Sequence, residues 1–348
     1  MPAVISGKVL VTGANGFLAY WLVKRLLEQG YSVRGTVRAQ HKGIHLLETF
    51  KDYTGQLEIV EVEDIAKPGA FDQAVKGVDA IFHSASPVHL DADDPNEYIV
   101  PAVGGTKGLL QSVMDHGNSV KRFIYMSSGA AVLRFQAEPA TFNEYDWNDT
   151  SVKEVQEKGR DASQASKYCA SKTLAEHAAW AFMQDNKDKI SFDLVAIQGP
   201  WVFGPFLQDV AVPEKLNSSN LDWWDAVVKG KKDDEFLADM GIADRRLEWI
   251  DVRDVALAHI LSLQKDAAGG NRFIVSSGVF KWQDFVNIAR TIDSKLPSGN
   301  TSYDPSKAVH HVRFDASKAR RVLGINYITI EEGTKDMLAQ FKEKGWIA

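Results

Sequence analysis

The sequence predicts an α/β fold, a doubly wound parallel sheet followed by a smaller, mostly α C-terminal lobe. Three observations predict it. The first half alternates short β-rich runs with helical patterns, as parallel strands joined by crossover helices do. A glycine-bearing segment, Thr12-Gly13-Ala14-Asn15-Gly16-Phe17-Leu18-Ala19, lies between the first such run and the first helical pattern. Past Gly199 the texture changes, and residues 199–244 are rich in Pro, Asn, Asp and Trp. A chain of 348 residues that is 45% hydrophobic can bury one large domain with an appended lobe.

The elements follow in order. Lys8 to Val11 reads as strand one, and Phe17 to Gln29 as a helix ended by Gly30. Tyr31 to Val37, Leu57 to Val62 and Asp79 to His83 read as strands two, three and four. Tyr98 to His116 is a long helix, and Lys121 to Met126 is strand five, ending in Ser127-Ser128. Gln164 to Asn186 is a helix and Phe192 to Ile197 strand six. Beyond it a helix is expected from Leu221 to Lys229, a short strand and a helix within Arg246 to Leu263, and a strand at Arg272 to Val275. Trp282 to Ile292 and the final segment to Lys344 read as largely helical. Residues 1–198 are thus expected to form a nucleotide-binding domain, with 246–263 returning to it. Residues 199–245 and 264–348 are expected to form a substrate lobe.

Composition narrows the function. A net charge of −6 gives no reason to expect nucleic acid or an anionic membrane as partner. No run of about 18 apolar residues exists, so no membrane span is expected. Met1 to Gly7 has neither a basic flank nor a long apolar run, so no signal peptide is expected. The single cysteine, Cys169, excludes an internal disulfide and a cysteine-based zinc cluster, and a reducing cytoplasm is the simplest compartment. The nine histidines are scattered with no completed ligand set, so no metal site is expected.

Gly13-x-x-Gly16-x-x-Ala19 carries the first chemistry. Gly13 permits a tight turn, and Gly16 lets backbone N–H groups approach a pyrophosphate at the positive end of the helix. Ala19 is small enough for that helix to pack on the sheet. A strand before and a helix after make this a dinucleotide loop of a Rossmann-type sheet. NAD-specific sheets place an acid at the end of strand two, where it binds the ribose 2′-hydroxyl. Here no acid appears between Tyr31 and Glu48, and Arg38 and Lys42 stand ready for a 2′-phosphate instead. The expected cofactor is NADPH.

Tyr168-Cys169-Ala170-Ser171-Lys172 carries the second. Residues four apart share a helix face. A phenol with a pKa of roughly 10 is a poor acid at neutral pH, and a neighbouring cation favours its ionised form. A tyrosine so tuned can protonate a carbonyl oxygen while hydride adds to the carbon. Ser128 or Ser127, at the end of strand five, can hold that oxygen. Cys169 lies about 100° round the helix from Tyr168 and reads as a packing residue.

These segments resemble the extended short-chain dehydrogenase/reductases, and within them the dihydroflavonol reductase-like branch, most like its fungal NADPH-dependent methylglyoxal, aldehyde and ketone reductases. The resemblance spans about 250 residues, most of the chain. Carrying it are Val11 to Phe17, Ser84-Ala85-Ser86-Pro87, the 141–148 stretch with Trp147-Asn148, Tyr168 to Glu176, Val202-Phe203-Gly204-Pro205 and Ile250 to Ala256. It implies a catalytic serine at Ser128, second of the pair, with Tyr168 and Lys172. It implies 2′-phosphate contacts at Arg38 and Lys42 and an adenine-side acid at Asp64, beside Ile65. Further cofactor contacts are expected from Asn15, Phe17, Leu18, Ser84, Ala85, Ser86, Gly199, Trp201 and Val202. Two positions depart from the pattern: Gly199 stands where such proteins usually have a nicotinamide-contacting proline, and Gly104 where many have an asparagine.

The substrate side should be lined by Val88, Ser128, Gly129, Trp201 and Phe206, mostly apolar. Such a pocket suits neutral aldehydes and ketones. Gly129 and Val88 are small and are expected to leave room for a large group. The rival readings are a sugar-nucleotide epimerase or dehydratase on the same scaffold, and a non-catalytic NADP(H)-binding sensor. The missing acid at strand two and the apolar loops argue against the first, and the retained Tyr168 and Lys172 against the second. A monomer or a homodimer is expected.

Overall fold

Short apolar runs bury both faces by pairing side by side, and seven of them form one sheet. The structure, a computed structural model, describes residues 3–86, 92–232 and 248–348. In chain order the strands and helices of the first part are β1 (Lys8–Thr12), α1 (Phe17–Glu28), β2 (Ser32–Val37), α2 (Ile44–Thr49), β3 (Leu57–Glu61), β4 (Ala80–His83), α3 (Asn96–His116), β5 (Arg122–Met126), β6 (Ala140–Phe142), α4 (Asp149–Lys158), α5 (Gln164–Asp185) and β7 (Asp193–Gln198). The second part holds β8 (Trp201–Phe203), α6 (Ser218–Trp223), β9 (Glu248–Asp251), α7 (Val252–Gln264), β10 (Arg272–Ile274), β11 (Gly278–Val279), α8 (Trp282–Ile292), β12 (Val312–Phe314), α9 (Ser317–Leu323) and α10 (Ile330–Glu343).

The sheet runs β10-β7-β5-β4-β1-β2-β3, and every pairing in it is parallel. Strand order reverses between β1 and β4. The crevice beyond their carboxyl ends is where open α/β sheets bind ligands. The Rossmann-type expectation is met. One face carries α1 and α7, whose Leu22, Leu26, Val255 and Ile260 bury against Val9, Val11 and Phe82. The other carries α3 and α5, with Leu109, Val113, Ala175 and Ala179 against Phe123 and Leu194.

The chain departs from the expected lobe boundary at β10. Arg272, Phe273 and Ile274 are buried and pair with β7, so the 264–348 stretch contributes an edge strand to the main sheet rather than only to the lobe. Residues 293–316 hold no α-helix, only the 3-10 turn Pro305–Lys307. Pro297 and Pro305 interrupt them, and they close with β12, which pairs in parallel with β6.

The lobe core is aromatic. Phe203, Trp223, Trp249, Phe280, Trp282, Phe285 and Phe341 are buried together around the small sheet β11-β9-β8. It is tied back at several points: Trp21 of α1 donates its indole N–H to Pro205 O at 2.8 Å, and Arg253 bridges the buried Asp251 and Asp336 of α10.

Candidate active site

The loop after β1 is stitched to its neighbours by backbone groups. Gly13 takes φ +64°, and a Cβ there would lie 3.2 Å from Ala85 Cα. A Cβ on Gly16 would lie 3.1 Å from Gly13 O, whose carbonyl accepts the Gly16 N–H at 2.8 Å. Ala14 donates to Thr36 O of β2, and Gly13 donates to Thr36 Oγ1. Gly35 admits this approach, since a Cβ there would meet Ala14 Cβ at 2.7 Å. Thr12 Oγ1 accepts the N–H groups of Ser84 and Ala85 and meets His83 Nδ1 at 2.9 Å. With both N–H groups on its lone pairs, that hydroxyl donates to Nδ1. His83 is therefore neutral, and burial holds its pKa down to about 3.

The helix that follows opens toward a negative charge. Gly16 offers no side-chain cap, and the first turn of α1 contains no acidic residue. First-turn N–H groups have no acceptor inside the helix, and the macrodipole favours an anion there. The cradle that a Cβ would fill and this uncapped terminus fit a dinucleotide pyrophosphate. Asn15 in the loop and Leu18 in the first turn of α1 are half-buried, and Phe17, also half-buried, packs on the lobe's aromatic cluster. Arg38 immediately follows β2 and Lys42 lies on the turn Gln40–Gly43; both are exposed. Asp64 is exposed and accepts the Ala66 N–H, while Ile65 lies where a Cβ on Gly105 of α3 would touch it at 3.1 Å. Gly104, beside it, faces Ala66 with ordinary room.

The side chains expected to handle the proton sit on α5, whose N-cap Ser163 accepts the Ser166 N–H on its Oγ. Tyr168 lies in its second turn. Lys172 is 6% exposed, its Nζ donates to Ser86 Oγ at 2.7 Å, and it stands 5.6 Å from the centre of the Tyr168 ring. Burial lowers its pKa from 10.5 to about 8. Cys169 is buried, as a packing residue would be.

The strand end at β5 separates the two serines. Ser127 is buried and its hydroxyl donates to Glu176. Ser128 is half-buried, and its Oγ accepts the Ala130 N–H at 3.1 Å, capping the turn Gly129–Ala131 against which α5 packs. An oxygen that accepts there keeps its own hydrogen for another acceptor.

On the substrate side the structure revises two expectations. Gly129 does not leave room for a large group: a Cβ there would come within 2.9 Å of Phe314 Cζ, so the ring from β12 fills that space. Phe206 is buried in the lobe core, stacked on Trp346, with its N–H and C=O both held by Gln340, so it packs instead of lining the crevice. Trp201 and Val202, on β8, remain half-exposed, with Trp201 stacked on Phe203. Gly199 is buried and accepts the Gly129 N–H at 2.8 Å. Val88 lies outside the described residues.

Sequence reasoning missed Phe314, Arg272 and Glu176. Only Glu176 left a trace: it continues the Tyr168, Lys172 stripe by one more helical step of four. Phe314 and Arg272 reach the site through strand pairing that no local pattern encodes.

The profile of the NAD dependent epimerase/dehydratase family matches residues 9–276. The chain belongs to this family. Among its relatives, a putative NADPH-dependent methylglyoxal reductase of Candida albicans is 36% identical, over 96% of this chain and 98% of that one. A ketoreductase of Aspergillus niger is 34% identical, over 98% and 99%. The crystal structure of the yeast methylglyoxal/isovaleraldehyde reductase complexed with NADPH superposes with a TM-score of 0.84 at 32% identity, covering 98% of this chain and all of that one. As a family member the chain shares the parallel sheet and the crevice described above.

Proposed function

We propose that this protein is an NADPH-dependent carbonyl reductase that converts aldehydes and ketones to alcohols. The observation that carries the proposal is Lys172, a buried ammonium beside the Tyr168 phenol, at the crevice where the strand order reverses between β1 and β4. Relatives named as methylglyoxal reductases and a ketoreductase support the same reading. Gly13, Gly16 and the N-terminus of α1 would hold the pyrophosphate, and Arg38 and Lys42 the 2′-phosphate. Ser84, Ala85, Gly199, Trp201 and Val202 would line the nicotinamide end, and Asp64 and Ile65 the adenine end. A cytoplasmic location fits the single, buried thiol.

In the proposed reaction NADPH, when bound, supplies a hydride to the carbonyl carbon. Ser128 donates a hydrogen bond to the carbonyl oxygen, holding it where negative charge develops. Tyr168 transfers its phenolic proton to that oxygen. Lys172, held by Ser86, keeps a positive charge beside the phenol and favours the phenolate left behind. The half-exposed apolar surface of Trp201 and Val202 favours a neutral carbonyl over a phosphorylated one.

The test is a panel of aldehydes and ketones followed at the nicotinamide absorbance with NADPH and with NADH. Turnover with NADPH, releasing oxidised cofactor in step with alcohol, is expected. Tyr168→Phe is expected to lower kcat by at least about a hundredfold while leaving NADPH affinity within a factor of about two. A clear preference for NADH, or retained turnover in Tyr168→Phe, overturns the proposal.

A further inference from the structure

We propose that the buried Glu176–Arg272 ion pair is the positioning unit for Ser128, so that the edge strand β10 sets the geometry of the reaction centre. This rests on the reductase reading above and assigns a role to two residues outside the Ser128, Tyr168, Lys172 set.

Glu176 is fully buried and lies on the same face of α5 as Tyr168 and Lys172. Its carboxylate accepts from Arg272 Nε at 2.7 Å, Gln198 Nε2 at 2.7 Å, Trp180 Nε1 at 3.2 Å and the hydroxyl of Ser127. Ser127 is the residue before Ser128, and its N–H is also fixed, to Ile197 O of β7. One side of Ser128 is thus anchored to the carboxylate.

Arg272 anchors the other side. Its Nη1 donates to the carbonyls of Glu144 and Asp146 at 2.6 and 2.8 Å, and its guanidinium lies 3.6 Å from the centre of the Trp147 ring. Trp147 in turn stacks on His177 of α5. The next residue, Asn148, is buried and clamps the turn after Ser128: its N–H donates to Ala131 O and its Nδ2 to Ala130 O. The Ala130 N–H is the group that holds Ser128 Oγ. A planar, five-donor guanidinium is needed to grip a carboxylate and two carbonyls at once, which an ammonium does not do. The ion pair therefore grips both flanks of Ser128 without touching the substrate.

Ser127→Ala removes the hydroxyl that couples the pair to the strand end and leaves every charge paired. Arg272→Lys keeps the charge and loses the fork. Both are read by kcat, KM for the carbonyl, NADPH dissociation constant and thermal midpoint. Ser127→Ala is expected to fold with the wild-type midpoint within a few degrees and bind NADPH within about twofold. Its kcat is expected to fall by roughly ten- to a hundredfold, the scale of a small misplacement at a reacting group, with KM nearly unchanged. Arg272→Lys should show the same split, and Arg272→Lys combined with Ser127→Ala should cost little more than either alone, as residues acting through one linkage do. If both single variants bind NADPH and keep kcat within about twofold, the proposal is overturned. It is also overturned if kcat falls only as far as NADPH binding does. A wild type that reduces no carbonyl overturns the reductase reading itself, a result distinguishable because it precedes any variant.

Discussion

Lys172 shows most directly how a residue's surroundings set its chemistry. Its ammonium is taken out of water, and one hydroxyl and the face of a phenol do not replace full hydration, so burial draws its pKa down to about 8. The sign follows. Between about 8 and 10.5 the unfolded chain holds the proton and the folded chain does not, so stability rises with pH across that window. Below it the folded protein carries a buried charge at a cost. Lys172→Met is therefore expected to be more stable than the wild type at pH 7, by roughly 1–3 kcal/mol in denaturant titrations, while losing turnover. The kcat/KM of the wild type is expected to decline as pH rises through about 8, as Lys172 loses its charge in the free enzyme. A pH profile that is flat to pH 9.5 in the wild type, or Lys172→Met less stable at pH 7, contradicts this account.

At the scale of elements, the backbone of the β1–α1 turn permits little substitution. Gly13 combines a left-handed φ with contact to the backbone of Ala85, and the loop's own N–H groups are spent on Thr36 and Gly13 O. Gly13→Ala is expected to lose roughly 1–2 kcal/mol of stability from the backbone conformation alone. Its NADPH affinity should fall further, because the displaced turn moves the N-terminus of α1. Thermal denaturation with and without NADPH separates the two effects: the ligand-induced rise in Tm should shrink as well as the starting Tm. The turn was legible in the sequence because its glycines lie three positions apart, a spacing that reports a backbone requirement. Helix α4 was not, because its Asp149–Lys158 run is polar and buries little beyond Val155. The strands β6, β8, β11 and β12 were not, because two or three residues are too few to display an alternation.

At the scale of the whole molecule, the end of the sheet opposite the crevice is locked by Arg122. Its side chain is fully buried, forks onto Asp193 of β7 at 2.8 Å, and reaches the carbonyls of Ser262 and Lys265 at the end of α7. This satisfies carbonyls that a helix C-terminus leaves without partners. It also fixes α7 to the sheet, and through α7 the lobe strand β9 that precedes it. Arg122→Met is expected to destabilise the protein by roughly 3–5 kcal/mol, because Asp193 and the end of α7 lose the guanidinium that joins them. The measurement is equilibrium unfolding in urea. The expected loss is global, with kcat per folded molecule preserved, since Arg122 lies at the far end of the strands from Tyr168.

The sequence by itself determined the parallel sheet, the dinucleotide turn and the stripe of Tyr168 and Lys172 on one helix. Each rests on residues within a few positions of one another, where spacing translates directly into geometry. It did not decide how the hydroxyls of Ser127 and Ser128 are held. Ser127 is buried with its hydroxyl on Glu176, a contact made across the packed α5–β5 face, whereas Ser128 is half-buried and accepts the Ala130 N–H. Nor did it decide what fills the space above Gly129, because Phe314 arrives there through the pairing of β12 with β6. Tertiary structure alone placed Arg272 beside Glu176, since side chains that far apart in the chain meet only when the sheet closes on its edge strand.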